Sequence, residues 1–169
     1  ALIKSVKGEI YDEHFLPADV IGDIVEFCEA REWHVQSYSG DQLYFAEHDV
    51  FARRYEAQDG VKGLTEGWPG LRKITKNVSK MLIIGSTAEQ TEARIKELRE
   101  AFGDRVEVMR SNAQFAEIMC PGVSKASALR TLAEKLGIEM ENVLAIGDSN
   151  NDLPILQTAG HSVARGKSV

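Results

Sequence analysis

Cysteine is scarce: Cys28 and Cys120 are the two in 169 residues, too few and too far apart for a disulfide framework. Both sit among apolar neighbours, so packing in a reduced, cytoplasmic compartment is the expectation. The chain also lacks any apolar run approaching the ~20 residues of a membrane-spanning helix. Its first residues lack the charged-then-apolar order of a signal peptide, so no membrane partner is expected. No run of Lys or Arg interleaves with aromatics. With 20 basic against 26 acidic residues the formal charge is -6, which argues against a nucleic-acid partner but leaves room for a local phosphate site. His14, His34, His48 and His161 have no mutual metal-ligand spacing and no adjacent cysteine pair, and no chemistry is assigned to them. Internal repeats and low-complexity tracts are absent too.

What is present is a chain long enough to bury a sizeable core, organised in three stretches. Residues 1–16 carry short apolar pieces around Gly8 and read as a strand or hairpin. Pro17 opens an amphipathic helix to about Arg31, with Val20, Ile21, Ile24, Val25 and Cys28 on one face. The runs 34–38 and 42–47 flank Ser39-Gly40-Asp41 as a hairpin, 49–58 form a second helix, and the Gly/Pro-rich stretch 60–70 reads as loop. A strand over 78–84 leads into a helix that Thr87 and Gln90 cap and Gly103 ends. Two more strands, 106–109 and 115–119, precede a break at Pro121-Gly122. Trp33, Tyr38, Tyr44, Phe45 and Trp68 are read as core rather than as a substrate pocket.

After that break the pattern changes to helix (124–136), strand (142–147), helix (151–158) and strand (161–164), the alternation of a parallel α/β layer. The expected organisation is therefore a connection over 1–15, an α+β domain over 16–120 and a second α/β part over 121–169. Val143-Leu144-Ala145-Ile146 reads as a strand buried on both faces. The hexapeptide Gly147-Asp148-Ser149-Asn150-Asn151-Asp152 follows it, at the strand end where parallel sheets collect ligands. Asp148 and Asp152 lie one helical turn apart, so both carboxylates can face one hard cation such as Mg2+. A plain helix cap is the competing explanation for a bare Gly-Asp pair, but not for the whole hexapeptide.

Lys125 opens the helix 124–136. A cation in the first turn opposes the helix dipole by roughly a few tenths of a kcal/mol unless something anionic sits there, and a phosphate would supply that charge. A solvent-facing lysine is the alternative. Lys125 precedes Asp148 by 23 residues, the span of one helix and its return strand, so the two can meet at one sheet edge.

Taken in order, Gly122-Val123-Ser124-Lys125, Ala128-Leu129, Leu136-Gly137-Ile138, Gly147-Asp148 through Asn151-Asp152, and Ala159-Gly160 resemble the C-terminal signature of the haloacid dehalogenase superfamily, in particular Cof-type phosphatases with an α+β cap. The resemblance implies a partial Rossmann-like core with a cap domain over 16–120. It implies a Mg2+-dependent phosphatase acting on a small phosphorylated metabolite such as a sugar phosphate. It further implies that Lys125 neutralises the phosphate and the attacking carboxylate, that Asp148 and Asp152 hold Mg2+ directly or through water, and that Asn151 positions the phosphate or the Lys125 ammonium.

The sequence departs from that family in lacking any Asp-x-Asp, the motif whose first carboxylate is the nucleophile and whose second is the general acid and base. The phosphate-binding Ser or Thr expected before the cap is also missing, and Arg165-Gly166-Lys167 replaces the usual Met-Gly-Asn. The expectation is an inactive piece of a longer enzyme, whose partner is the missing N-terminal core segment. Two alternatives stand beside it: a non-catalytic module that binds metal, phosphate or a partner, and a cytosolic piece of a P-type cation pump.

Overall fold

Apolar periodicity alone places the first long helix, α1 (Ala18–Glu29), in the computed structural model, which describes residues 2–148 and 152–166. Val20, Ile21, Ile24, Val25 and Cys28 are buried along one stripe of it. The stripe packs against a six-stranded sheet of β3 (Val35–Ser39), β4 (Gln42–Phe45), β5 (Gly63–Thr65), β6 (Val78–Ile84), β7 (Glu107–Arg110) and β8 (Phe115–Met119), in the order β5-β4-β3-β6-β8-β7. All neighbours are antiparallel except β4 and β5.

Three other helices belong to this unit: α2 (Val50–Asp59), α3 (Gly67–Leu71) and α4 (Ala88–Phe102). Thr87 caps α4 by accepting from the Gln90 N–H at 3.2 Å, and Ile95, Leu98 and Phe102 complete the main core with Met81, Ile83 and Ile118. Burying each such side chain is worth roughly 1.5–3 kcal/mol. Asp49 caps α2, its Oδ1 accepting from the Ala52 N–H at 2.8 Å. A small second cluster of Leu43, Phe45 and Ala52, with half-buried Tyr38 and Tyr55, lies under α2. The aromatics expected in the core are there: Phe45 is fully buried, and Trp33, Tyr44 and Trp68 pack partly buried on the main cluster.

The stretch 60–70 is not the loop its composition suggests, because it holds β5 and α3. Tertiary contacts build β5. The Glu56 carboxylate accepts from the Gly63 N–H at 2.9 Å, and a Cβ at Gly63 would lie 2.1 Å from the Phe45 ring, so only glycine lets this strand pair beside Phe45.

Residues 14–121 form one unit, and residues 2–13 with those from 122 onward form the other. In the second unit β1 (Leu2–Lys4) and β2 (Ile10–Glu13) make an antiparallel hairpin. Helix α5 (Lys125–Leu136), strand β9 (Leu144–Gly147), helix α6 (Leu153–Thr158) and strand β10 (His161–Ala164) follow, and β9 pairs in parallel with β10. Helix α6 packs on α5, β9 and β10. A short 3-10 turn, Met140–Asn142, occupies the start of the expected strand over 142–147. The expectation that β9 is buried on both faces fails among the described residues: Ala145 is buried, but Leu144 and Ile146 are 59% and 67% exposed. One partner strand and one helix layer cover only one face. No helix of the described residues is long and apolar enough to cross a membrane.

Candidate active site at the end of strand β9

Helix α5 begins where the sequence places it because Ser124 and Ser127 cap each other. The Ser124 Oγ accepts from the Ser127 N–H at 3.0 Å, and the Ser127 Oγ accepts from the Ser124 N–H at 2.9 Å. This fixes Lys125 in the first helical turn, where its ammonium opposes the helix dipole. The compensating anion is inside the protein: Lys125 Nζ donates to Asp152 Oδ1. Asp152 is buried, whereas half of the Lys125 side chain is exposed, so the ammonium combines a fixed partner with access to solvent.

The second oxygen of Asp152 is also used. Its Oδ2 accepts from the Asp148 N–H at 3.1 Å, which ties the residue that follows β9 to the start of α6. Gly147 makes room for this contact, since a Cβ there would stand 2.5 Å from the Asp152 Cβ. Asp152 is thus the joint of the site: it draws the amine of α5 and the backbone after β9 to one carboxylate. Asp148 itself lies exposed just beyond the carboxyl end of β9.

Of the residues singled out in sequence, Lys125, Asp148 and Asp152 are brought together, and Asn151 lies outside the described residues. Sequence spacing suggested that Lys125 and Asp148 meet, and the structure joins them through Asp152. The charge mismatch at the start of α5 was the one signal that an anion must be near Lys125. The sequence reading gave that place to a phosphate, with a solvent-facing lysine as the alternative, whereas the structure fills it with the Asp152 carboxylate.

The donor chemistry fits a hard divalent cation in part. Asp148 offers a carboxylate at an exposed strand end, while both oxygens of Asp152 accept hydrogen bonds from protein groups. Among the described residues no group of three His, Cys, Asp or Glu is placed to hold a metal ion. Two carboxylates make only part of the oxygen set that Mg2+ prefers, so further ligands from elsewhere are required.

The profile of the haloacid dehalogenase-like hydrolases matches residues 1–168. The chain belongs to this family. Among curated relatives of this haloacid dehalogenase-like chain, the HMP-PP phosphatase of Serratia proteamaculans is 29% identical over 170 residues, covering 96% of this chain and 59% of the relative. The 5-amino-6-(5-phospho-D-ribitylamino)uracil phosphatase of Bacillus subtilis is 40% identical over 74 residues, 44% of this chain and 29% of the relative. A crystal structure of a Thermotoga maritima protein superposes with a TM-score of 0.80 at 30% identity, covering 97% of this chain and 61% of that one. The haloacid dehalogenase-like chain thus spans between about a third and three-fifths of the length of such relatives.

Proposed function

We propose that this chain contributes the cap and the C-terminal part of the core to a Mg2+-dependent phosphatase of small phosphorylated metabolites. The observation that carries the reading is the Lys125–Asp152–Asp148 assembly at the carboxyl end of β9. In this reading the unit over 14–121 is the cap that selects substrate, and residues from 122 onward hold the phosphoryl group. Two named phosphatases among the relatives support it, one of them aligned over 96% of the chain.

Each residue then has a role that follows from its setting. The half-exposed Lys125 ammonium, held by buried Asp152, sits ready to accept phosphate oxygens and stabilise negative charge as it shifts in the transition state. Asp148 is the carboxylate that would hold Mg2+, with Asp152 beside it as a second acidic group that also positions the Lys125 ammonium and the backbone after β9. When bound, the cation neutralises phosphate oxygens and aligns them for in-line attack. Asn151 is assigned the positioning of the phosphate. The attacking carboxylate comes from an N-terminal core segment supplied by the longer protein, and the exposed apolar face of β9 supports a further layer there. This chain by itself is expected to be inactive.

The test is phosphate release from small phosphate esters by the longer protein. Lys125→Ala should lower kcat by about 10²–10³ at saturating Mg2+. Asp148→Asn should raise the Mg2+ concentration needed for half-maximal rate, because an amide is a poorer ligand for a hard ion. Unchanged kinetics in both variants would make the assembly structural. Turnover by the 169-residue chain alone, abolished by Asp148→Asn, would place another nucleophile within it.

A further inference from the structure

The two tryptophans of the chain, Trp33 and Trp68, line one cavity of about 380 Å³ within the unit over 14–121. Buried His34 and Ala46 close its inner side, both indoles are half-buried, and Glu32 and Glu47 are exposed at its mouth. That is the volume of a small-molecule site. The rest of the lining falls into two halves. At the end of α1, Glu29 and Glu32 come just before Trp33. Before α2, Glu47 and Asp49 lie with Trp68, whose Nε1 donates to Glu47 Oε1 at 3.2 Å. Each half sets an indole beside carboxylates, and such surroundings hold an alkylammonium group: oxygens accept from its N–H donors while the ring packs on its methylene stem or takes the charge on its π face.

We propose that this cavity is a binding site for a small aliphatic diamine, with one ammonium at Glu32, the other at Glu47, and the methylene stem laid on the two indoles. The Trp33 ring already has Arg94 at 4.8 Å and Arg31 at 5.6 Å, so it serves as an apolar wall. Trp68 has no such cation among the described residues and offers its π face. A metal ion is the poorer occupant. Among the described residues no three of His, Cys, Asp or Glu are grouped to hold one, so the negative charge is spread around the cavity rather than gathered at a point. A monoamine would leave one half of the lining unused.

Neighbouring cations leave this acceptor capacity open. Arg72 is held by Glu29, Arg31 by Glu97 at 3.0 Å, and Arg94 donates to the Ile84 carbonyl. Asp49 is engaged by the Ala52 N–H and lies 3.0 Å from His34. Glu47 accepts from Trp68, and the Glu32 carboxylate has no partner among the described residues. Those two are therefore the anchors. The His34 ring nitrogens are taken up by Asp49 and Gln36 and are not needed for binding. Lys125 and Asp148 belong to the other unit, so the site stands apart from the candidate phosphoryl-handling groups and its test does not depend on phosphatase activity.

The experiment is a titration of the 169-residue chain with putrescine at constant ionic strength, read by tryptophan emission, with n-butylamine and Mg2+ as the single-ended and metal controls. Both tryptophans line the site, so emission should change saturably with putrescine, and n-butylamine should bind about tenfold more weakly. Glu47→Gln should weaken putrescine about tenfold, because the amide keeps an acceptor for Trp68 but loses the charge. Glu32 stands at φ 53°, a left-handed position where glycine is at ease. Glu32→Gly should therefore weaken binding by a similar factor without lowering the urea midpoint, which separates loss of a ligand contact from loss of fold. Glu100→Gln, exposed on α4 outside the cavity, should bind as the parent does. No saturable change with putrescine, an equal response to n-butylamine or Mg2+, or parent-like binding in both Glu47→Gln and Glu32→Gly overturns the proposal. So does an equal loss in Glu100→Gln, which would reduce the effect to general charge.

Discussion

Strands β6 and β9 carry much the same message in sequence, Met81-Leu82-Ile83-Ile84 in one and Val143-Leu144-Ala145-Ile146 leading into the other, yet the two meet opposite fates. β6 lies between β3 and β8, and Met81, Leu82 and Ile83 are all but inaccessible. β9 has β10 for a neighbour, and Leu144 and Ile146 stay on the surface with Val163. The unit over 14–121 closes its own core. Among its described residues the second unit buries Val123, Ala126, Ala133 and Ala145 but leaves Leu144, Ile146, Leu153 and Val163 exposed, while carrying the candidate catalytic groups. A continuous apolar run is the pattern of a strand covered on both faces, and among the described residues β9 is covered on one.

The largest effect that would break this contrast is in the closed unit. Ile118 is fully buried in the main core on β8. Ile118→Ala should cost about 2–5 kcal/mol through lost transfer energy and a cavity that the sheet cannot close. The measurement is the urea midpoint of the 169-residue chain. A loss below about 1 kcal/mol would mean that this core is loosely packed and that the two units differ less than their burial suggests.

What could be read from sequence follows the range of the forces involved. α1 and α4 were legible because their stripes and caps are local: Val20 to Cys28 repeat on one face, and Thr87 and Gly103 mark both ends of α4. β5 was not, because three residues show no periodicity and their place is set by pairing with β4, the Phe45 ring and the Glu56 carboxylate, none of them a local signal. At the site, the residue types and their turn were legible, and so was the need for an anion near Lys125. The sharing of Asp152 between Lys125 and the Asp148 N–H was not, because it depends on how closely α6 approaches Gly147.

A smaller effect should come from pH, again in the closed unit. The Gly63 N–H first, then His48 and, against the cost of desolvation, Lys62 pull the Glu56 carboxyl down to about 2 from an ordinary 4.5. A carboxyl depressed on folding adds stability that is present above its unfolded value and is lost as pH falls through the folded one. The contribution is therefore intact above pH 4.5 and disappears toward about pH 2. Glu56→Gln should flatten this part of the acid limb of urea midpoint against pH, and should loosen β5 through its weakened hold on Gly63. An acid limb as steep as that of the parent would assign the acid sensitivity to other carboxylates.

The smallest effect sharpens the comparison most. Ile146 is 67% exposed, so Ile146→Ala should change the stability of this chain by less than about 0.5 kcal/mol. In a protein that includes a further core layer packed on this face of β9, the same side chain would be covered, and its truncation should approach the roughly 2–5 kcal/mol of a core position. The two measurements separate an exposed face that is surface in its own right from one that awaits a partner layer. Equal, small losses in both would show that no element seats on Leu144 and Ile146. A loss that appears only in the longer protein would show that an added element seats on this face of β9, the strand that leads directly into Asp148.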